Sequence, residues 1–172
     1  MWGQNYNLNL SIFHINRHHI FIGFFQSCTI DSWSGACGTC VVAKSINPEI
    51  KVYAVQSERS PAGFVSWKQG EVRTSTNETF AEGLATGTGY DLPLSLLTAL
   101  LDDFILVSDD EIRQSICLLI EKAHTLAEGA GAAALAGLCK LQEQLKGKKV
   151  VVVVSGGNIT LEQLEESLKT RI

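Results

Sequence analysis

Residues 155–158 read Ser-Gly-Gly-Asn directly after Val150–Val154, a hydroxyl and two residues without side chains at the end of an apolar run. Such a turn lets a flat or anionic ligand come close to backbone, with Ser155 as one neutral donor or acceptor. On spacing alone, a tight strand-to-helix turn explains Gly156 and Gly157 equally well. Two further segments carry acid beside glycine: Glu128 opens "EGAGAAALAG" (128–137), and Glu82 precedes Gly83 in "AEGLA" (81–85). Close helix–sheet packing accounts for the alanines of the first segment but less well for Glu128. Cys37 and Cys40 form a CxxC, the spacing of a redox pair or half a zinc site. No second CxxC or histidine pair follows at metal spacing, which favours two small helix residues. His18 and His19 are read as solvated rather than metal-ligating.

The elements that must position these groups alternate. "GTCVVAKSI" reads as a helix stopped at Asn47-Pro48, because proline disfavours helical geometry in the residue before it. "KVYAV" (51–55) reads as a strand and the following stretch, to about residue 82, as a polar loop. "LPLSLLTALLDD" is then a helix and "FILVS" (104–108) a strand. Ser108 and Glu111 have capping-box spacing, followed at helical period by Ile112, Ile116, Leu119, Ile120 and Ala123. Residues 128–131 interrupt that helix, "AAALAGLCKLQEQL" resumes it, and Gly147 closes it. The valine run is a strand, and Thr160 with Gln163 caps a final helix. A valine strand without alternation is the mark of a parallel strand covered on both faces, so the expected fold is α/β, a partial doubly wound parallel sheet with flanking helices. Ligands of such sheets bind beyond the carboxyl ends of the strands, and Ser155 lies one residue past that of the valine run.

Composition narrows the function classes. A hydrophobic share of 45% with 19% charged residues excludes a disordered chain, and a net charge of −4 gives no reason to expect nucleic acid. No apolar run reaches the ~18–20 residues of a membrane span, and no signal peptide is evident, so no membrane partner is expected. Five cysteines without a framework point to a reducing compartment, and the expected location is the cytoplasm. Residues 1–34 lack the regular grammar of the rest, with a possible strand in "LSIFHI" and a second apolar run, "IFIGFF" (20–25).

Five segments in order, "INPEIKVYAVQ", "TFAEGLA", "LVSDDEI", "EGAGAAALAG" and "VVVVSGGN", resemble the C-terminal half of serine/threonine dehydratases. These are pyridoxal-phosphate (PLP) enzymes of fold type II, with a tryptophan-synthase-β-like fold, related to serine racemase. The resemblance covers residues 35–172 as part of the catalytic domain and leaves 1–34 as a non-matching segment. It implies that Ser155 hydrogen-bonds the pyridine nitrogen of PLP, that Gly156 and Gly157 give the ring room, that Glu128 lies near the ring, and that the backbone of Gly83 lines it. A neutral hydroxyl makes the ring a mild electron sink, suited to loss of a β-hydroxyl from serine or threonine.

The same resemblance marks departures. The family's Schiff-base lysine, in an S-F-K-like motif, and its S-G-N-H-like carboxylate-binding loop belong upstream, and neither occurs in residues 1–34, so no catalytic residue is assigned. The phosphate-binding glycines would fall at Asp31, Ser32, Trp33 and Ser34, none of them glycine, and Asp31 would repel a phosphate. A shifted register offers Gly35 and Gly38 at a helix start. The acidic positions of a racemase-like metal site correspond to Gln56 and Ala62, so no metal is expected. The lysines, Lys44 and Lys51 included, are read as solvated surface residues. The expected function is PLP-dependent conversion of L-threonine or L-serine to a 2-oxo acid and ammonia, with this chain alone inactive. The alternative is a non-catalytic half-domain that docks onto full-length dehydratase subunits. An unpaired sheet edge would favour self-association or such docking.

Overall fold

The computed structural model describes residues 19–24, as backbone, and 33–170. Strand β1 (His19–Phe24) is followed by helix α1 (Ser34–Ile46), strand β2 (Lys51–Ser57) and helix α2 (Ala62–Gln69). A 3₁₀ turn (Glu82–Leu84) leads to α3 (Asp91–Leu100), strand β3 (Asp103–Val107) and α4 (Asp109–Leu118), which runs on as a π-turn (Leu119–Ala123). Helix α5 (Gly129–Lys140), strand β4 (Lys149–Val152) and α6 (Leu161–Lys169) complete the order. The four strands form one parallel sheet, β3-β2-β1-β4. The second apolar run is therefore a strand at the middle of the sheet, while "LSIFHI" lies outside the described residues.

Strand alternation sorts the core into two layers. Val52, Ala54 and Phe104 face one side, where they pack with Ala36, Cys40 and Ala43 of α1 and Leu94 and Leu97 of α3. Val55, Ile105 and Val107 face the other, against Ala130, Ala133 and Ala134 of α5. Ile116, Ala132 and Leu135 extend that second layer toward α6. Helices cover both faces, as expected for a doubly wound sheet.

Several local expectations are corrected. The valine strand ends at Val152, so Ser155 lies three residues beyond it rather than one, and β4 is an edge of the four described strands. Its valines touch both core layers, Val151 one and Val150 and Val152 the other, but stay half-buried, because nothing among the described strands pairs with the outer edge. The stretch read as a loop contains α2, whose eight residues are too few for periodicity to reveal. Residues 128–131 do not interrupt a helix; they begin α5, and the break comes earlier, at the π-turn and at His124 in left-handed geometry. Both capping boxes form, Ser108 with Glu111 and Thr160 with Gln163.

Lys44 is not a solvated lysine. Its ammonium donates to Asp102 Oδ2 at 2.6 Å and to the Ile50 carbonyl at 2.7 Å, and its side chain is only 17% exposed. Asp102 also accepts from Lys51 at 2.9 Å and from the Val52 amide at 2.8 Å. This knot joins α1 to the starts of β2 and β3, at the amino-terminal rim of the sheet.

Burial by itself would raise the Asp102 pKa, but the hydrogen bonds from Lys44, Lys51 and the Val52 amide outweigh it and hold the carboxyl below its ordinary value. A depressed folded-state pKa gives stability that is present above the unfolded-state value of about 4 and lost as pH falls through the folded one. Asp102→Asn is therefore expected to cost about 1–2 kcal/mol at pH 7. Urea unfolding at pH 7 and pH 3 should show the gap between variant and parent shrinking at the lower pH; an undiminished gap would contradict the assignment. A second substitution acts in the opposite direction. Gly38 is an exposed position within α1 where an added Cβ meets nothing within 4 Å. Gly38→Ala should raise stability by about 0.5–1 kcal/mol through helix propensity, seen as a higher thermal midpoint.

Candidate functional site

Because all four strands run the same way, the segments after them gather at one rim. There the chain turns into α2, α4 and α6, after β2, β3 and β4 respectively. The α5 N-terminus reaches the same rim by a different route. The π-turn ends α4 with the His124 amide bonded to the Leu119 carbonyl, and residues 124–128 carry the chain across to Glu128. Turns of this kind occur often at functional sites, because they re-aim the next segment without unwinding the helix.

Glu128 meets the Ser-Gly-Gly-Asn turn directly. Its amide donates to the Gly156 carbonyl at 3.0 Å, and its carboxylate lies over the Gly156 Cα, where a Cβ would meet Oε1 at 2.0 Å. A Cβ on Gly131, one helical step deeper, would meet that same Gly156 carbonyl oxygen at 2.4 Å. The two glycine-bearing motifs thus interlock through backbone. Gly157 faces the Leu126 carbonyl, 3.4 Å from where its Cβ would stand. Ser155 is exposed, and no hydrogen bond among the described residues uses its hydroxyl.

The "AEGLA" segment joins through Ala81. A Cβ on Gly129 would come within 2.8 Å of the Ala81 Cβ and 3.1 Å of the Phe80 ring. Leu84 and Ala81 are fully buried beside Ala130, so the 3₁₀ turn that carries Gly83 sits against α5. Glu82, at the head of that turn, is exposed.

The group that holds this loop is one the sequence does not single out. Asp109, the first residue of α4, accepts from Ser57 Oγ at 2.7 Å, from Thr79 Oγ1 at 2.7 Å and from the Phe80 amide at 3.2 Å, and is only 12% exposed. It ties the end of β2 and the residues just before Ala81 to the start of α4. Arg113 stacks over the Phe80 ring at 4.3 Å and pairs with Asp110 at 3.1 Å. In the sequence Asp109 reads only as an acid in a helix first turn; the one available signal is its position just after a strand. Further back, Gln56, fully buried, donates to Thr86 Oγ1 at 3.1 Å and accepts from the Phe64 amide at 3.1 Å. Ser60 accepts from the Thr86 amide and donates to Asn77 Oδ1. Together these fix the polar loop of residues 70–90 against β2 and α2. The acidic position of the racemase pattern is thus filled by an amide that is already hydrogen-bonded on both sides.

An open groove of about 560 Å³ lies beside the Asp109 knot, lined by Glu58, Arg59, Glu78, Asp110 and Arg113 among others. None of Ser155, Gly156, Glu128 or Gly83 lines it, so it is separate from the interlocked motifs.

The other sequence-derived residues fall elsewhere. Gly35 and Gly38 lie on the exposed face of α1, in the layer opposite α5, with nothing within 4 Å of an added Cβ. Helix geometry leaves the Gly35 amide among the free donors of the first turn, whereas Gly38 lies beyond them. Trp33, at one of the positions where the resemblance implies a phosphate-loop glycine, is the N-cap of α1 with φ 104°, and its indole is fully buried against Gly63, Gly89 and Tyr90. Asp31 and Ser32 lie outside the described residues. Cys37 and Cys40 are buried in α1; burial pushes both thiols up, Cys40 to about 12 with the Cys37 charge adding to it. Thiols so disposed are poor nucleophiles and poor redox partners. Cys139 is likewise raised by burial to about 11. No cluster of three or more potential metal ligands occurs among the described residues. No helix among them is long and apolar enough to cross a membrane.

On the ring side the donor set fits PLP: an unengaged hydroxyl, a turn free of side chains and a carboxylate held beside it. The first turn of α1, near the shifted-register glycines, has no side-chain cap and no acid, as a phosphate would need.

Residues 28–156 match the family described as "Pyridoxal-phosphate dependent enzyme". The chain is 38% identical over 129 residues to an L-threonine ammonia-lyase of Thermotoga maritima, covering 74% of this chain and 32% of that protein. It is 40% identical over 132 residues to the catabolic L-threonine dehydratase of Escherichia coli, covering 75% and 40%. Among solved structures, serine racemase of Dictyostelium discoideum superposes with a TM-score of 0.73 at 30% identity, over 85% of this chain and 45% of that one. Processed threonine deaminase isoform 2 of Solanum lycopersicum shares the fold, with a TM-score of 0.78 over 90% and 44%. The chain thus spans less than half the length of these relatives. With a family match over residues 28–156, the chain belongs to the pyridoxal-phosphate-dependent enzyme family whose members include threonine dehydratases and serine racemase.

Proposed function

We propose that this chain forms the pyridine-side wall of a site for β-elimination from L-threonine or L-serine, which releases a 2-oxo acid and ammonia. The observation that carries the reading is the clamp of Glu128 on Gly156, which leaves the Ser155 hydroxyl exposed beside a turn without side chains. The names of the relatives, threonine dehydratase and threonine ammonia-lyase above all, support the substrate class. PLP, when bound, supplies the electron sink for the reaction. Toward it, Ser155 offers one neutral hydrogen bond to the ring nitrogen and Glu128 sets a carboxylate beside the same turn. Gly83 adds backbone from the loop that Asp109 holds. At the phosphate end Gly35 contributes a free amide, and Gly38 only the lack of a side chain.

The chain's own lysines do not complete the site. Lys44 and Lys51 are held by Asp102 at the far rim. Lys140 donates to the Leu106 carbonyl, Lys68 stacks on Trp67, and Lys169 pairs with Glu165 and Glu166. Lys146, Lys148 and Lys149 stand at the start of β4, away from its Ser155 end, and Lys122 is exposed on the π-turn. In this reading the chain by itself abstracts no α-proton, since it offers no positioned base. A second reading, docking onto a full-length family subunit, is favoured by the half-buried valines at the outer edge of β4.

Two measurements test the proposal. Pyridoxine 5′-phosphate lacks the aldehyde and cannot couple to surface lysines; its fluorescence-monitored affinity should fall about five- to tenfold on Ser155→Ala, the worth of one hydrogen bond. An unchanged affinity would remove Ser155 from the ring wall. In the second, 2-oxo acid release from serine or threonine with added PLP, coupled to a dehydrogenase, should be undetectable for the chain alone. Turnover abolished by Ser155→Ala would show that one of its lysines serves as the base.

A further inference from the structure

We propose that Gly131 is a positioning residue for the Ser155–Asn158 turn, acting through the Gly156 carbonyl; its functional meaning rests on the reading of Ser155 given above. Helix α5 opens Gly129-Ala130-Gly131, and each glycine costs a helix about 0.8–1 kcal/mol relative to alanine. Both need a reason. Gly129 has a packing one, since its missing Cβ makes room for Ala81 and the Phe80 ring.

The reason for Gly131 is of a different kind. The atoms its Cβ would meet are the Gly156 oxygen at 2.4 Å, nitrogen at 3.1 Å and carbonyl carbon at 3.3 Å, all backbone. No rotamer change relieves such a contact. Restoring ordinary separation requires the turn or the helix to move by about 1 Å, and displacements of that size matter for groups held in a site to within about 0.5 Å. The same carbonyl accepts the Glu128 amide, so any shift also strains that hydrogen bond. Gly131 therefore sets how closely the Ser-Gly-Gly-Asn turn seats on α5, and with it where the Ser155 hydroxyl stands. Gly156 answers from the other side, because its bare Cα receives the Glu128 carboxylate.

The test separates position from stability and needs no cofactor. Ser155→Cys places a reporter thiol at the exposed position, and its rate of reaction with a small aromatic disulfide reagent is read above the parent chain's own background. Adding Gly131→Ala should change that rate about threefold or more, because thiol reactivity depends on its immediate surroundings. Ala133→Gly, fully buried in the same helix, weakens α5 without adding an atom and should lower the thermal midpoint while leaving the rate unchanged. Equal responses to the two, or no response to Gly131→Ala in a folded protein, would overturn the proposal. Should Gly131→Ala fail to fold, Gly156→Ala takes its place. Its methyl meets the Glu128 carboxylate, so adding Glu128→Ala should restore the reporter rate, and a failure to restore it would count against the clamp. The outcome is independent of pyridoxine 5′-phosphate affinity, so failure of the ring-wall reading and failure of the positioning proposal are distinguishable.

Discussion

The hydrogen bond from the Glu128 amide to the Gly156 carbonyl is the joint on which the functional rim depends. It links the start of α5 to the turn after β4, beyond the apolar packing of α5 against Val152, Val153 and Ile159. The joint closes only because Gly131 and Gly156 lack side chains. A residue with a Cβ at either position meets atoms of the other motif, so the helix penalty of glycine is offset by an approach that no other residue permits. The loop bearing Gly83 is then added through Ala81 against Gly129, which gives α5 contacts with both flanking segments in its first turn.

Two carboxylates serve the two rims of the sheet in different ways. Asp102 gathers two ammonium groups and an amide at the amino-terminal rim and binds α1 to β2 and β3. Asp109 gathers two hydroxyls and an amide at the carboxyl rim, where it holds the loop that ends in Ala81. The first is a part-buried charge with charged partners, a stabilising arrangement once both desolvation and geometry are met. The second has only neutral donors in close contact, with Arg59 at 4.0 Å, and its role is to place chain rather than to stabilise a charge. Groups that position a site in this way need not touch its ligand.

The family match runs from residue 28, through the "EGAG" motif, into the Ser-Gly-Gly-Asn turn at residue 156. Within that match, residues 31–34 carry no glycine. Trp33 takes a left-handed backbone that favours glycine, yet its indole is fully buried between Gly63, Gly89 and Tyr90. Packing of the indole in the core compensates for the backbone conformation, and α1 begins there without a side-chain cap.

The sequence determined by itself whatever short-range chemistry decides. The caps at Ser108 and Thr160 are settled within four residues, β2 and β3 declare themselves by β-branched runs, and five short segments in order carry the family resemblance without a fold. The α/β class came from the alternation of these elements. Tertiary structure decided whatever depends on neighbours distant in sequence. It made "IFIGF" a strand inside the sheet, put the valines at its edge, and drew Lys44 out of solvent onto Asp102, 58 residues away. It also gave Asp109 its role, since Ser57 and Thr79 come within reach of that carboxylate only after β2 and β3 pair. A side chain's partners across a parallel sheet are set by strand order, and strand order leaves no mark in any local window of residues.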